Sequence, residues 1–216
     1  MLPVATLLFL GFGFKLLGLL ARDELILRLL LLVSSAFYVS YFYFVAGNPL
    51  WEGVFTNSIL GVVNLTVIGI VLTERTTFGM SPEMLTLYRS FPMLSPGQFR
   101  RLMRRARSET LHGETVLVTE GQTADRLFYV ASGDVKMTKG GQASRLPEGI
   151  FVGEIGYLRG GAATATVAAG QGARVLSWSH DDLKAMTRKS GNMRVAMVAQ
   201  FNSDLLTKVA GSRPAT

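Results

Sequence analysis

The sequence predicts an α+β protein: an N-terminal bundle of three transmembrane helices, followed by a β jelly roll with flanking helices. Three observations lead there. A mean hydropathy of +0.32 is high for an ordinary soluble chain of 216 residues, and the apolar excess is concentrated in residues 1–72. From Glu109 to Ser179 the chain turns to short period-two runs punctuated by glycine, the pattern of many short strands. On either side of that region lie serine-led segments of helical spacing. The expected divisions are 1–73 (three transmembrane helices), 74–107 (linker and amphipathic helices), 108–179 (jelly roll) and 180–216 (C-terminal helices and tail).

The apolar stretches run from Leu2 to Leu20, Leu25 to Ala46 and Val54 to Leu72. Each approaches the roughly 20 residues a helix needs to cross about 30 Å of hydrocarbon. A cleaved signal peptide is the alternative for the first, but it lacks a basic start, carries Lys15 near its end and is followed by two more stretches. Lys15, Arg22 and Arg28 surround the first turn, whereas the Gly47 to Gly53 loop has no basic residue. The positive-inside rule then puts the N-terminus outside and the domain after the third span in the cytoplasm, as expected of an integral protein of the plasma (inner) membrane. Trp51, Tyr38, Tyr41 and Tyr43 fit an outer aromatic belt. Asn57 and Asn64, seven residues apart, share a helix face and are expected to hydrogen-bond to another helix of the bundle or to a second copy of the chain. There is no T-V-G-Y-G run and no row of buried charges, so a channel or transporter working alone is not expected.

Thr73 to Met80 reads as a linker. Ser81-Pro82-Glu83 and Ser95-Pro96 both open helices, with serine as cap and proline at the first helical position; Pro92 should end the first. In the second, Phe99, Leu102, Met103 and Ala106 form an apolar face, with Arg100, Arg101, Arg104, Arg105 and Arg107 around the rest. These arginines and a formal charge of +7 invite a nucleic-acid reading, but no groove-reading element accompanies them and nucleic acid is not an expected partner. Anionic membrane lipid is the better partner for a tethered basic helix, and a solvated face is the plain alternative. Cysteine is absent, which excludes disulfides and thiolate sites. His112 and His180 stand alone without metal-ligand spacing, so no metal or cofactor is expected.

Within the β region the expected strands are Thr115 to Val118, Arg126 to Val130, Val135 to Met137 and Ala173 to Trp178, with Gly113, Gly121 and Gly133 at turns. The segment Phe151 to Val167, FVGEIGYLRGGAATATV, resembles the phosphate-binding cassette of a cyclic-nucleotide-binding domain. That cassette reads F-G-E-φ-A/G-φ-φ, a spacer, then P-R-A-A-T-V, where φ is apolar. Gly153, Glu154, Ile155 and Gly156 match its first half, and Thr164, Ala165, Thr166 and Val167 its second. The running pattern from Glu109 to Trp178, including Ala124-Asp125-Arg126-Leu127-Phe128-Tyr129-Val130-Ala131-Ser132-Gly133-Asp134-Val135, resembles the same domain. The resemblance implies a ligand site of Phe151, Gly153, Glu154, Ile155, Gly156, Ala163, Thr164, Ala165 and Thr166. Backbone N–H groups near Glu154 would face a phosphate, and the Glu154 carboxylate would accept from a ribose hydroxyl. Ala163, however, stands where the family has the phosphate-pairing arginine. Losing such a charge-assisted contact costs about 1.5 to 3 kcal/mol, and Arg159 in the spacer is the nearby candidate to replace it.

A second resemblance is to the Popeye domain-containing family. It rests on the layout of three spans before such a domain and on Asn57 to Leu65, Leu87-Tyr88-Arg89-Ser90, Leu94-Ser95-Pro96, Phe99-Arg100-Arg101-Leu102 and Arg174 to Ser179. Popeye proteins bind cyclic AMP without the cassette arginine, through D-S-P-E and F-Q-V-T motifs. Here Gly153 to Gly156 and Ala163 to Thr166 occupy those places, and Thr166 alone clearly agrees.

Ser179 to Asp182 reads as a helix start, carried through Met186 and broken at Gly191. From Met193 to Val209, Val195, Met197, Val198, Phe201, Leu205, Leu206 and Val209 recur at near-helical spacing. The resemblance makes this last helix a lid that ligand moves; packing on the β roll or pairing with another copy are the alternatives. Gly211 to Thr216 is expected to fray. Ser179, His180 and Asp181 are consecutive and form no triad, and no Gly-x-Ser-x-Gly or metal motif is present, so catalysis is not expected. The expected function is a membrane-anchored cyclic-nucleotide sensor of Popeye type, with cyclic AMP as ligand and a homodimer mate or membrane protein as partner. The alternative is a membrane scaffold whose β domain binds no ligand.

Overall fold

Runs rich in leucine, valine and phenylalanine without internal proline fold as α1 (Val4–Leu20), α2 (Glu24–Phe44) and α3 (Trp51–Arg75) in the computed structural model, which describes residues 4–211 apart from the side chains at 207, 209 and 210. Val209 of the expected apolar stripe and most of the expected frayed tail therefore lie outside the described residues. The chain divides into two compact units, Met1–Phe78 and Gly79–Thr216.

In the first unit, α2 and α3 are long and apolar enough to cross a membrane. α1 has 17 described residues and falls short, because Leu20 is followed by the polar turn that starts α2. Of the three expected spans, two therefore reach that length among the described residues. Asp23 makes that turn: its carboxylate accepts from the N–H groups of Leu25 and Ile26 at 2.9 and 3.2 Å, and from Arg75 at the end of α3 at 2.8 Å. Trp51, expected in a loop, is the first residue of α3. Among the described hydrogen bonds, those of Asn57 and Asn64 do not reach another helix of the bundle. Their side-chain amides donate back to the carbonyls of Gly53 and Leu60 in α3 itself, both at 2.9 Å. An apolar bundle leaves such groups few other acceptors, and the carbonyl one turn back is always within reach. Ser34 does cross between helices, donating to Gly11 of α1 at 2.7 Å.

In the second unit, α4 (Pro82–Tyr88) and α5 (Pro96–Met103) begin at the expected serine caps, and Ser95 with Gln98 completes a capping box. Phe99 and Leu102 of α5 are buried, and Ala106 lies beyond its end. Eight strands follow: β1 (Arg107–Thr110), β2 (Thr115–Val118), β3 (Arg126–Ser132), β4 (Val135–Lys139), β5 (Gln142–Leu146), β6 (Ile150–Val152), β7 (Thr166–Ala169) and β8 (Arg174–Ser179), with α6 (Glu154–Arg159) between β6 and β7. They form two four-stranded sheets, ordered β1-β8-β3-β6 and β2-β7-β4-β5. Then come α7 (His180–Lys189), three residues longer than expected, and α8 (Gly191–Gly211).

Phe91, Phe99, Tyr129, Phe151, Trp178 and Phe201 pack in the core between the helices and the β1-β8-β3-β6 sheet. Trp178 satisfies its buried N–H by donating to the Leu102 carbonyl at 2.9 Å, which ties α5 to the sheet. At the β3–β4 turn Gly133 has φ +108, and a Cβ there would lie 2.6 Å from the Ala173 backbone, so glycine is required.

Candidate functional site

Gly153, at φ +90, ends β6 and turns the chain into α6, and Gly160, at φ +71, turns it out again. A Cβ at Gly153 would come within 3.1 Å of the Arg126 carbonyl, so the sharp turn and the close approach both depend on glycine. The spacer after α6 is pinned by two backbone hydrogen bonds, Gly121 N–H to the Ala163 carbonyl at 2.9 Å and Ala163 N–H to the Gln122 carbonyl at 2.8 Å. Together these segments enclose a cavity of about 190 Å³.

Of the nine residues named from the sequence, Phe151, Gly153, Glu154, Ile155, Gly156, Ala163, Thr164 and Ala165 line this cavity. Thr166 does not; its hydroxyl accepts from the Glu120 N–H at 2.9 Å and braces the strap over the site. Arg159, the candidate replacement for the missing arginine, is exposed at the far end of α6 and is not among the lining residues. The rest of the wall is mostly apolar, with Val118, Met137, Leu146, Val152 and Val167.

A cation does reach the cassette, and it comes from α8. The Lys208 ammonium lies 2.8 Å from Glu154 Oε1 and 2.7 Å from Asp204 Oδ2, and donates to the Phe151 carbonyl. Lys208 and Glu154 side chains are 15% and 6% exposed, so this ion pair is largely shielded from water. Asp204 also accepts from the Phe151 N–H, at 3.3 and 3.4 Å. Both backbone groups of Phe151 are therefore satisfied by side chains of α8, on β6, an edge strand of its sheet. Burial raises the Asp204 carboxyl above the ordinary carboxylate range, with Lys208 pulling it back. The site holds two carboxylates and one ammonium, so any anion must deal with that ammonium.

Asp204, Leu205 and Lys208 escaped a reading centred on the cassette because they are some 50 residues away in sequence. The available signal was an aspartate amid the apolar stripe, with a lysine four residues on. Behind the cassette, His180 packs edge-on to Tyr157 of α6 at 5.2 Å, and its Nε2 is buried with no hydrogen-bond partner among the described residues. Burial, reinforced by Lys184, lowers its pKa from the ordinary 6.5. Among the described residues no group of three His, Asp or Glu is placed to hold a metal.

Residues 108–190 match the family model described as cyclic nucleotide-binding domain, so the second unit carries a domain of that type. Two crystal structures share its fold. One is of a "Putative Cyclic nucleotide-binding protein" from Geobacter metallireducens GS-15, 19% identical with a TM-score of 0.53, covering 60% of this chain and 98% of that one. The other is of a cyclic nucleotide-binding domain from Methylobacillus flagellatus KT, 16% identical with a TM-score of 0.52, covering 60% and 81%. A Rhodopseudomonas palustris relative named "Putative potassium channel protein" is 28% identical over 117 residues, 52% of this chain. The chain spans 28% of that relative's length.

Proposed function

We propose that this chain is a membrane-anchored cyclic-nucleotide sensor, of Popeye type in its layout, in which cyclic AMP binds the cassette and the movement of α8 carries the signal to a partner protein or a second copy. The observation that supports this reading most is the meeting of the cassette and α8 at Lys208, which brings a cation to a site whose own spacer has Ala163 in place of arginine. The mechanism follows from competition. Glu154, the group suited to a ribose hydroxyl, is held by Lys208 at 2.8 Å. A nucleotide that takes Glu154 frees the ammonium for its phosphate. A cavity of about 190 Å³, with Leu205 and Lys208 of α8 in its wall, is smaller than the roughly 300 to 1,000 Å³ of small-molecule sites. Binding therefore goes with withdrawal of α8, and the nucleotide shifts α8 only by as much as it prefers the withdrawn arrangement.

In this reading α1, α2 and α3 all cross the membrane, with the N-terminus outside, the α1–α2 turn inside and the β domain in the cytoplasm. The protein senses rather than catalyses. The relative's channel name is not carried over, since the chain covers little of that protein and contains no T-V-G-Y-G filter run.

A second reading has its own observation. The Lys208, Glu154 and Asp204 cluster fills the polar part of the site from within, as in a scaffold that binds no nucleotide and uses α8 to close the edge of β6. Calorimetric titration of the full chain in neutral detergent with cyclic AMP and cyclic GMP separates the two. Saturable heat that Glu154→Ala weakens by about tenfold or more supports the sensor. Silence at millimolar nucleotide leaves the scaffold.

A further inference from the structure

Between α4, α5 and the β1–β8 edge of the first sheet lies a second hollow, of about 190 Å³. Met84 and Leu87 line it from α4, and Met103 and Ala106 from the last turn of α5 and the residues just after it. All four are only partly buried and keep surface open to a guest. Glu83 and Arg174 stand at its rim. We propose that this hollow binds a free apolar α-amino acid, with the ammonium at Glu83, the carboxylate at Arg174 and the side chain between α4 and α5.

The two rim charges carry the argument. Glu83 Oε2 and Arg174 Nη2 are 3.8 Å apart, and the side chains are 82% and 50% exposed. A pair so long and so open to water is worth little, so parting it to admit a guest costs little. Neither side chain has another ion pair or hydrogen bond among the described residues. A guest with a single charge is attracted by one of them and repelled by the other. An ammonium and a carboxylate on one carbon satisfy both at once, and the guanidinium can take the carboxylate through two N–H groups. Ser108 brings to the same hollow a hydroxyl with no hydrogen bond among the described residues, able to accept from the ammonium. The lining between these groups is apolar, which selects a guest whose side chain is hydrocarbon or thioether rather than polar.

The frame around the hollow is held. β8 runs between β1 and β3, and Arg174 is paired with Thr110 on one side and Ser132 on the other. Tyr88, at the end of α4, donates its hydroxyl to the Leu94 carbonyl at 3.0 Å, and its ring centre is 5.1 Å from that of Phe99 in α5. These contacts fix the spacing of the two helices, so the hollow is formed before a guest arrives. Its volume lies below the roughly 300 to 1,000 Å³ of drug-sized sites, which suits a molecule as small as one amino acid.

The test uses the full chain in neutral detergent, isotope-labelled at its methionine methyl groups. L-Leucine should move the Met84 and Met103 signals saturably and leave that of Met137, in the cassette, in place. Glycine keeps both charges without the side chain, and isoamylamine and isocaproate each keep the side chain with one charge. All three should bind at least about tenfold more weakly than leucine. Glu83→Gln and Arg174→Gln should each weaken leucine by about tenfold or more. Both residues are exposed, so neither change endangers the fold. Glu154→Ala should leave leucine binding unchanged, so this site and the cyclic-nucleotide reading fail independently. The proposal is overturned by no saturable shift at about 10 mM leucine, by shifts at Met137 instead of Met84 and Met103, by equal binding of glycine or a single-charged analogue, or by variants that bind as the wild type does.

Discussion

In the proposed sensor, Lys208 is the residue on which the chemistry of the cassette turns. Without it, Glu154 and Asp204 face an incoming phosphate with no cation between them. Lys208→Met is therefore expected to weaken cyclic AMP binding by about 10- to 100-fold, the worth of a charge-assisted contact. Tighter binding would reduce Lys208 to a plug. Arg159→Ala, by contrast, removes an exposed side chain outside the cavity and should leave affinity unchanged in the same titration. His180 gives the domain a pH dependence. Its folded pKa is lowered from 6.5 by burial, so below about that pH the unfolded chain binds the extra proton that the buried ring resists. The contribution of His180 to stability is complete above pH 6.5 and is lost as pH falls through 6.5 towards the lower folded value. Melting temperatures from pH 7.5 to 5 should fall more steeply for the wild type than for His180→Phe, and parallel curves would contradict this.

Among the elements, α5 and α8 decide what the β domain can do. α5 was legible down to its capping box because Ser95, Pro96 and Gln98 act locally, and Phe99 and Leu102 are buried as their spacing requires. Trp178 holds it in place. Trp178→Phe removes the indole hydrogen bond to the Leu102 carbonyl, which keeps the Arg105 N–H at 3.1 Å, and should cost about 0.5 to 1.5 kcal/mol, read as a lower urea midpoint with an unchanged slope. An unaltered midpoint would mean that apolar packing alone docks α5. β5 and β6 were not legible. Gln142 to Leu146 is an exposed edge strand without alternation, and Ile150 to Val152 is three buried residues, too short to show a period. α8 was legible as an amphipathic helix, but its polar contacts were not, since Asp204 and Lys208 find Phe151 and Glu154 only after the chain has folded back.

For the whole molecule, the proposed topology makes a prediction that the chain is well suited to test, because it contains no cysteine. In right-side-out vesicles, a cysteine at Gly47 should react with an impermeant maleimide, and one at Arg159 should react only after the membrane is opened. The reverse pattern would invert the orientation drawn from Lys15, Arg22 and Arg28. The sequence by itself determined the apolar character of the first 72 residues, the serine-capped helices and the type of the β domain, and it named eight residues that line one cavity. Each is written in local composition, local spacing or a contiguous motif. Tertiary structure alone decided that Asn57 and Asn64 bond within their own helix, that Thr166 braces a strap, that Arg159 stays out of the cavity, and that Lys208 enters it. Those outcomes depend on which distant groups come within about 3 Å of one another, and spacing along the chain carries no measure of that distance.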